Sequence, residues 1–260
     1  MSTPGSLYVI GLGPGDPRML TEQAKIALRQ SQVVIGYTGY FDGIQDLVQG
    51  KECLALPLTQ ETQRAQTAVD RALQGAAVCV ISSGDAGIYG MASLVLEVLE
   101  QRTSSVSGGA AAPPCPDVVV VPGVSAINAC ASLLGAPIGH DFAVISLSDL
   151  LTPWELIEKR LVAAAEADFI TVLLNPKSIR RHWQYGRAQE ILAQHRAPAT
   201  PVGMVRNAYR ADQSVTTTTV AHMTEPTVDM LTTVIIGNSQ TRSWRSRMVT
   251  PRGYPIAETP

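Results

Sequence analysis

The sequence predicts an α/β protein of two domains, with a mostly parallel sheet in the N-terminal part and a mixed sheet in the C-terminal part. Apolar runs of strand length alternate with helical patterns from residue 7 to about residue 200, an order that builds parallel sheet through helical crossovers. Beyond residue 200 strand-like runs follow one another with little helix between them. Aromatic residues make up only 5% of the 260 while hydrophobic residues reach 45%, a composition suited to helices packed on Val- and Ile-rich strands.

The strand-like runs are Leu7–Ile10, Val33–Ile35, Val78–Ile81, Val118–Val121, Phe142–Ser146, Ile170–Leu174, Val202–Val205, Val215–Val220 and Thr233–Ile236. Between them, Thr21 to Gln30 carries Ala24, Ala27 and Leu28 at helical spacing. Glu61 to Gln74 repeats the pattern and stops before Gly75, a residue suited to a helix C-terminus. A further helix is expected from Ser125, as N-cap, to Leu134. Thr103–Pro116 has the composition of a flexible loop or linker, and it places the domain boundary near Pro122-Gly123. The expected division is therefore 1–122, 123–242, and a basic, irregular, solvated tail at 243–260.

Twenty Lys and Arg against 22 Asp and Glu give a formal charge of −2, so no global basic field invites nucleic acid or an anionic membrane. Cys53, Cys79, Cys115 and Cys130 are far apart, without a C-x-x-C pair. Neither a zinc site nor a redox motif is expected, and Cys79 and Cys130 read as small core residues. With no leader pattern and no apolar run of transmembrane length, the expectation is a cytoplasmic protein with no metal and no membrane partner.

Three strand ends carry loops of glycine and short side chains. The first, Gly11-Leu-Gly-Pro-Gly-Asp16, follows Leu7–Ile10. Its spacing is wrong for a dinucleotide fingerprint: the third glycine comes one residue early, Pro14 occupies the turn, and the next strand end carries no ribose-binding acid. No Gly-Lys-Ser/Thr follows, so it is not a P-loop. By itself it is equally a tight turn holding no ligand. Ser82-Ser-Gly-Asp-Ala-Gly-Ile-Tyr-Gly90 and Pro122-Gly-Val-Ser-Ala126 repeat the layout after two more strands. Ligands of open parallel sheets gather at such carboxyl ends, and three of these loops together point to a site.

These segments, with Pro201-Val-Gly-Met-Val-Arg-Asn207 and Thr233-Val-Ile-Ile-Gly237, resemble the class III S-adenosylmethionine-dependent tetrapyrrole methyltransferases from Leu7 to about Arg242. Gly84-Asp-Ala-Gly-Ile-Tyr-Gly-Met91, Leu134–Phe142, Ile145–Trp154 and Leu174-Asn-Pro-Lys-Ser178 resemble the branch that methylates C17 of a precorrin and contracts the macrocycle in cobalamin biosynthesis. The resemblance implies the two-domain tetrapyrrole methylase fold, a homodimer, and S-adenosylmethionine in a cleft between the domains. Carried over by position, Pro14, Ser83, Gly84, Asp85, Ile88, Ser125, Ala126, Leu174 and Ala208 would line its pocket. Some relatives have threonine where Ser125 stands and glycine where Ala208 stands, so contacts there run through backbone or shift slightly.

A sulfonium loses its charge as the methyl leaves, so a strongly anionic site would favour the ground state over the transition state. Glycine and apolar groups suit it better, and the protein's main task is to align sulfur, methyl and carbon. Asp85 is accordingly read as an acceptor for cofactor hydroxyl or amino groups, or as a residue that only shapes its turn. A tetrapyrrole bears many carboxylates, which calls for cations. Lys177, Arg180, Arg181, His182 and Arg187 crowd one stretch read as helical, and Arg206 and Arg210 flank another loop. Lys177, Arg180 and above all Arg206 are the substrate-binding candidates, against the plainer reading of a solvated face. Ring contraction adds proton transfers, for which His140, Asp141 and Asp16 are candidates, with Asp149 in Leu147-Ser-Asp-Leu150 beside them.

Alternatives stay open at this point. Methylation at C20 or C11 of a related precorrin would leave the macrocycle uncontracted. A non-catalytic tetrapyrrole carrier would bind without turnover. A nicotinamide oxidoreductase would need the fingerprint that the first loop lacks. Metal-free and cobalt-containing substrates are not distinguished.

Overall fold

The parallel runs of the first half pair as expected. In the computed structural model, which describes residues 5–104 and 115–255, the chain divides into two units, Met1–Ala126 and Ile127–Pro260. Most of the linker-like Thr103–Pro116 stretch lies outside the described residues.

The first unit contains β1 (Ser6–Gly11), α1 (Glu22–Gln30), β2 (Val33–Tyr37), α2 (Gln45–Val48), β3 (Glu52–Leu56), α3 (Glu61–Leu73), β4 (Val78–Ser82), α4 (Ala92–Ser104) and β5 (Asp117–Val121). The strands form one sheet in the order β3-β2-β4-β1-β5, every pair parallel, with Leu7 beside both Val78 and Val118. Alternate side chains serve opposite faces of a strand. Leu7, Val9, Val33, Ile35, Val78 and Val80 pack with α3 and α4. Ile10, Val34, Cys79 and Ile81 pack with α1 and α2. The double cover explains why these strands read as unbroken apolar runs.

Local chemistry sets the helix ends. The Thr21 hydroxyl accepts from the Ala24 N–H at 3.1 Å and caps α1. α3 closes with Gly75 at φ +100°, the Ala76 N–H on Arg71 O at 3.1 Å and the Gly75 N–H on Ala72 O at 3.0 Å, the paired bonds of a Schellman ending. β3 is absent from the sequence reading because Glu52-Cys-Leu-Ala-Leu56 is a half-exposed edge strand, which needs no continuous apolar run.

The second unit takes up all but the first residue of α5 (Ala126–Leu134) and continues with β6 (Gly135–Ala136), β7 (Phe142–Ser146), α6 (Trp154–Glu166), β8 (Ile170–Leu174), α7 (Trp183–His195), β9 (Pro201–Arg206), β10 (Ser214–Thr219) and β11 (Thr232–Ile236). Its sheet runs β10-β9-β11-β8-β7. β7 and β8 are parallel, whereas β11 is antiparallel to β8 and β9, and β10 to β9, the mixed sheet expected. Ile145, Leu173, Val202, Met204, Val234 and Ile236 bury one face under α6 and α7. Cys79 and Cys130 are both buried.

Two readings of this half need correction. Lys177, Arg180, Arg181 and His182 are not helical: they form the loop before α7, and of that group only Arg187 is on the helix. The segment from Arg242 is not an irregular tail. β12 (Arg242–Trp244) and β13 (Arg247–Val249) form a hairpin whose second strand pairs with β6. The turn uses Arg245 and Ser246 at φ +46° and +63°, a two-residue geometry usually marked by Asn-Gly. With Arg-Ser in its place the hairpin leaves no mark in the sequence. Met248 at its centre is fully buried.

Met248→Ala is therefore expected to lower stability by about 2–5 kcal/mol, measured by urea denaturation with circular dichroism. A change within about 0.5 kcal/mol, the range of surface substitutions, would return this segment to solvent.

Candidate functional site

The loops after β1, β4 and β5 meet at the carboxyl end of the N-terminal sheet, through backbone. The Gly13 N–H donates to Gly84 O at 3.0 Å and the Gly84 N–H to Gly13 O at 2.9 Å. A Cβ on Gly11 would stand 2.6 Å from Gly84 O and 2.7 Å from Gly123 N, and one on Gly123 would strike the Gly84 oxygen. Glycine at 11 and 123 is thus a condition for the loops to touch, and Gly84, at φ +65°, takes a conformation that other residues rarely adopt. The contact makes a surface of main chain with few side chains.

Asp85 ties the loops together. Its Oδ1 accepts from the Gly87 N–H at 2.8 Å, closing its own turn, and its Oδ2 accepts from the Gly123 N–H at 3.0 Å, reaching the neighbouring loop. A carboxylate offers about four lone-pair sites, so two directions stay open to a ligand. Around it Pro14, Gly84 and Ser125 are buried, Ser83, Asp85 and Ala126 are half-buried, and Ile88 is exposed. Seven of the nine cofactor candidates therefore cluster here.

The other two, Leu174 and Ala208, belong to the second unit and share one end of its sheet. β8 and β9 both run antiparallel to β11, so Leu174 and Arg206 finish at the same edge, and Ala208 follows, buried. His140 and Asp141 are not there. Phe142 pairs with Ile170 and Ser146 with Leu174, so residues preceding β7 lie a strand length away, about 13 Å, at the opposite end. His140 and Asp141 are exposed there and border a recess of about 330 Å³ with Asp168, Phe169, Asn238 and Ser239. This placement removes them from the end that carries Leu174 and Arg206, and so from acid/base work beside those residues.

Asp16 is also differently employed. It caps the short turn Pro17–Met19 by accepting from the Arg18 N–H, and the Arg18 guanidinium donates to both its oxygens at 2.7–3.1 Å. The Arg18 bonds hold its pKa below the usual carboxylate range, which makes it a poor proton acceptor. Arg206 is occupied within the fold: its Nε donates to Asp229 at 2.7 Å and its Nη1 to Asp212 at 2.8 Å. It braces the loop after β9 where a free cation for substrate was expected. The cause is register, since Arg206 stands opposite Thr232, next to Asp229.

Lys177 lies over the Tyr185 ring at 5.4 Å, a cation–π contact. Arg180 is exposed and has no ion pair among the described residues. Arg187 pairs with Glu158 and Glu190. Sequence reasoning missed Gln184, a helical residue with no motif to mark it. It is 3% exposed and donates to Asp149 at 2.7 Å. Among the described residues no group of three or more His, Cys, Asp or Glu could hold a metal ion, and no helix is long and apolar enough to cross a membrane.

With this geometry in place the comparisons are specific. The family model of the tetrapyrrole (corrin/porphyrin) methylases matches residues 6–224. The chain belongs to that family. It is 50% identical over 250 residues to the cobalt-factor III methyltransferase of Priestia megaterium, covering 96% of this chain and 45% of that protein. It is 44% identical over 250 residues to the probable cobalt-factor III C(17)-methyltransferase of Salmonella typhimurium, covering 96% of this chain and all of that one. The crystal structure of the methyltransferase CobJ superposes with a TM-score of 0.84 at 33% identity, over 95% of this chain and 100% of that chain. The chain thus spans less than half of the Priestia protein and the whole of the Salmonella one.

Two outcomes test this geometry. Asp85→Ala leaves two backbone donors without their acceptor, and about 1–3 kcal/mol of stability is expected to be lost. Amide exchange by NMR should show Gly87 and Gly123 deprotected, and unchanged protection would remove Asp85 from the loop contact. The second concerns acid. Burial pushes Asp229 up, but its bonds to Arg206 and Thr232 outweigh that and leave it lowered, and Arg206 also lowers Asp212. Lowered folded values stabilise above the ordinary carboxylate pKa of about 3.9, and that contribution disappears as pH falls through them. Urea midpoints measured from pH 6 to pH 3 should fall less steeply in Arg206→Ala than in the wild type.

Proposed function

We propose that this chain transfers the methyl group of S-adenosylmethionine to C17 of cobalt-factor III or precorrin-3B, with contraction of the macrocycle, in cobalamin biosynthesis. The observation that carries this reading is the end-to-end match to the Salmonella protein of that name. We take it to act in the cytoplasm as a homodimer, the habit of its family.

The residues present fit the cofactor. Glycine at 11 and 123 lets the three loops meet through backbone, and at that junction Asp85 keeps acceptor directions for hydroxyl or amino groups of a ligand. By the family resemblance, Pro14, Ser83, Gly84, Asp85, Ile88, Ser125 and Ala126 would hold it, with Leu174 and Ala208 the remaining candidates of the same set. When bound, the group supplies an already activated methyl on a cationic sulfur. The protein's share is to fix orientation, worth up to about 7–11 kcal/mol in well-aligned systems, and to keep anions from the sulfur. Asp85 would meet that second demand, since two backbone N–H groups already share its charge.

The carboxylates of the tetrapyrrole would meet Lys177 and Arg180, which Arg206, committed to Asp212 and Asp229, leaves as the available cations of the candidate set. Leu150, Leu151 and Ile179 are 81%, 94% and 95% exposed, an apolar surface on the adjoining loops after β7 and β8. A surface of that kind suits a large flat macrocycle.

Calorimetry with S-adenosylhomocysteine is expected to show micromolar binding, and none at millimolar concentration would overturn the assignment. Incubation with S-adenosylmethionine and, in parallel, cobalt-factor III and precorrin-3B should give a product one methyl heavier whose NMR spectrum places the methyl on C17 of a contracted ring. Methylation elsewhere on an intact ring would transfer the chain to a sister reaction.

A further inference from the structure

Methyl transfer from a sulfonium ion to carbon has a charge balance that the fold must satisfy. The sulfur–methyl bond breaks with its electron pair left on sulfur, and the new carbon–methyl bond takes a pair from the macrocycle. The positive charge passes to the macrocycle. It is discharged when one X–H bond of the substrate breaks and leaves its pair in the ring system, so each turnover releases one proton. Some group at the site must accept it.

Three carboxylates, Asp149, Asp212 and Asp229, lie on the loops at the end of the C-terminal sheet that bears Leu174. Asp212 and Asp229 are held by Arg206 at 2.8 and 2.7 Å and kept ionised below the usual range. Asp149 differs. Its nearest cation, the Arg181 Nε, stays 3.9 Å away, and its side chain is 36% exposed. It stands just beyond β7, where the Leu147 N–H donates to Leu174 O at 2.9 Å, next to the exposed Leu150 and Leu151.

Asp149 is also held in place. The Gln184 Nε2 donates to its Oδ2 at 2.7 Å from a side chain that is 3% exposed. Among the described residues the Oε1 of the same amide is buried with no hydrogen-bond partner, an arrangement that costs stability and calls for a reason. Arg181, itself 7% exposed, closes the other side and reaches Pro176 O only at 3.4 Å. A buried amide and a buried guanidinium thus aim a partly exposed carboxylate out of the fold. We infer that Asp149 accepts the proton released by methyl transfer, through Oδ1, and that Gln184 is the positioning residue that aims it. This rests on the methyltransferase reading above and deepens it.

The test uses the full chain with S-adenosylmethionine and whichever of cobalt-factor III and precorrin-3B the wild type turns over. Asp149→Asn, nearly isosteric, is expected to lower kcat by about 10²–10⁴-fold, the range for loss of a general base, with KM and the calorimetric affinity for S-adenosylhomocysteine within about threefold of wild type. Asp149→Ala should regain activity with added formate, and Gln184→Leu should lower kcat by about tenfold at unchanged KM. Asp149→Asn retaining a third or more of wild-type kcat, losing S-adenosylhomocysteine affinity in step with kcat, or Asp149→Ala ignoring formate would overturn the inference while leaving the methyltransferase reading intact. A wild-type chain that turns over neither substrate would overturn both.

Discussion

The bonds from Asp85 to the amides of Gly87 and Gly123 hold together what the parallel sheet only brings close. Adjacent strands of such a sheet end about 4.8 Å apart, and chains leaving them ordinarily diverge into separate helices. Here they are drawn into contact, and the carboxylate that draws them shares its charge with two main-chain donors. On the proposed reading that would resolve an electrostatic conflict, because a site for a sulfonium donor needs acceptor directions without the field of a bare anion. Glycine at 11 and 123 is the steric side of the same constraint: a single methyl group at either would push the loops apart.

The second unit handles charge by a different rule. Three of its arginines are committed inside the fold: Arg206 to Asp212 and Asp229, Arg187 to Glu158 and Glu190, and Arg196, almost wholly buried, to the carbonyls of Ala165 and Phe169 and to Asp168. A guanidinium presents several donors in a fixed fork, which makes it as good a brace as a ligand. Counting basic residues in a sequence does not separate the two uses. Asp149 is the converse case, a carboxylate whose strongest partner is a neutral amide and which faces outward among exposed leucines. The distribution of ion pairs is what sets Asp149 apart from Asp212 and Asp229.

How much could be read beforehand follows from the range of the interactions involved. The apolar runs of β1, β2, β4, β5 and β7 to β11, the caps at Thr21 and Gly75, and the three glycine-rich bends are local, and the residues themselves declare them. β3 and the β12–β13 hairpin are not local in this sense. An edge strand can alternate weakly because only part of it is buried, and a positive-φ turn made by Arg245 and Ser246 has no preferred composition to betray it.

The chain's own residues therefore determined the fold class, the family and the loops that form the candidate cofactor site, because each is set by spacing within a few residues. Which charged groups are spent on structure was decided only by tertiary pairing. Arg206 meets Asp229 because β9 lies antiparallel to β11, and His140 lies a strand length from Leu174 because β7 runs parallel to β8. Strand direction and register couple residues that are tens of positions apart, and no local pattern encodes that coupling.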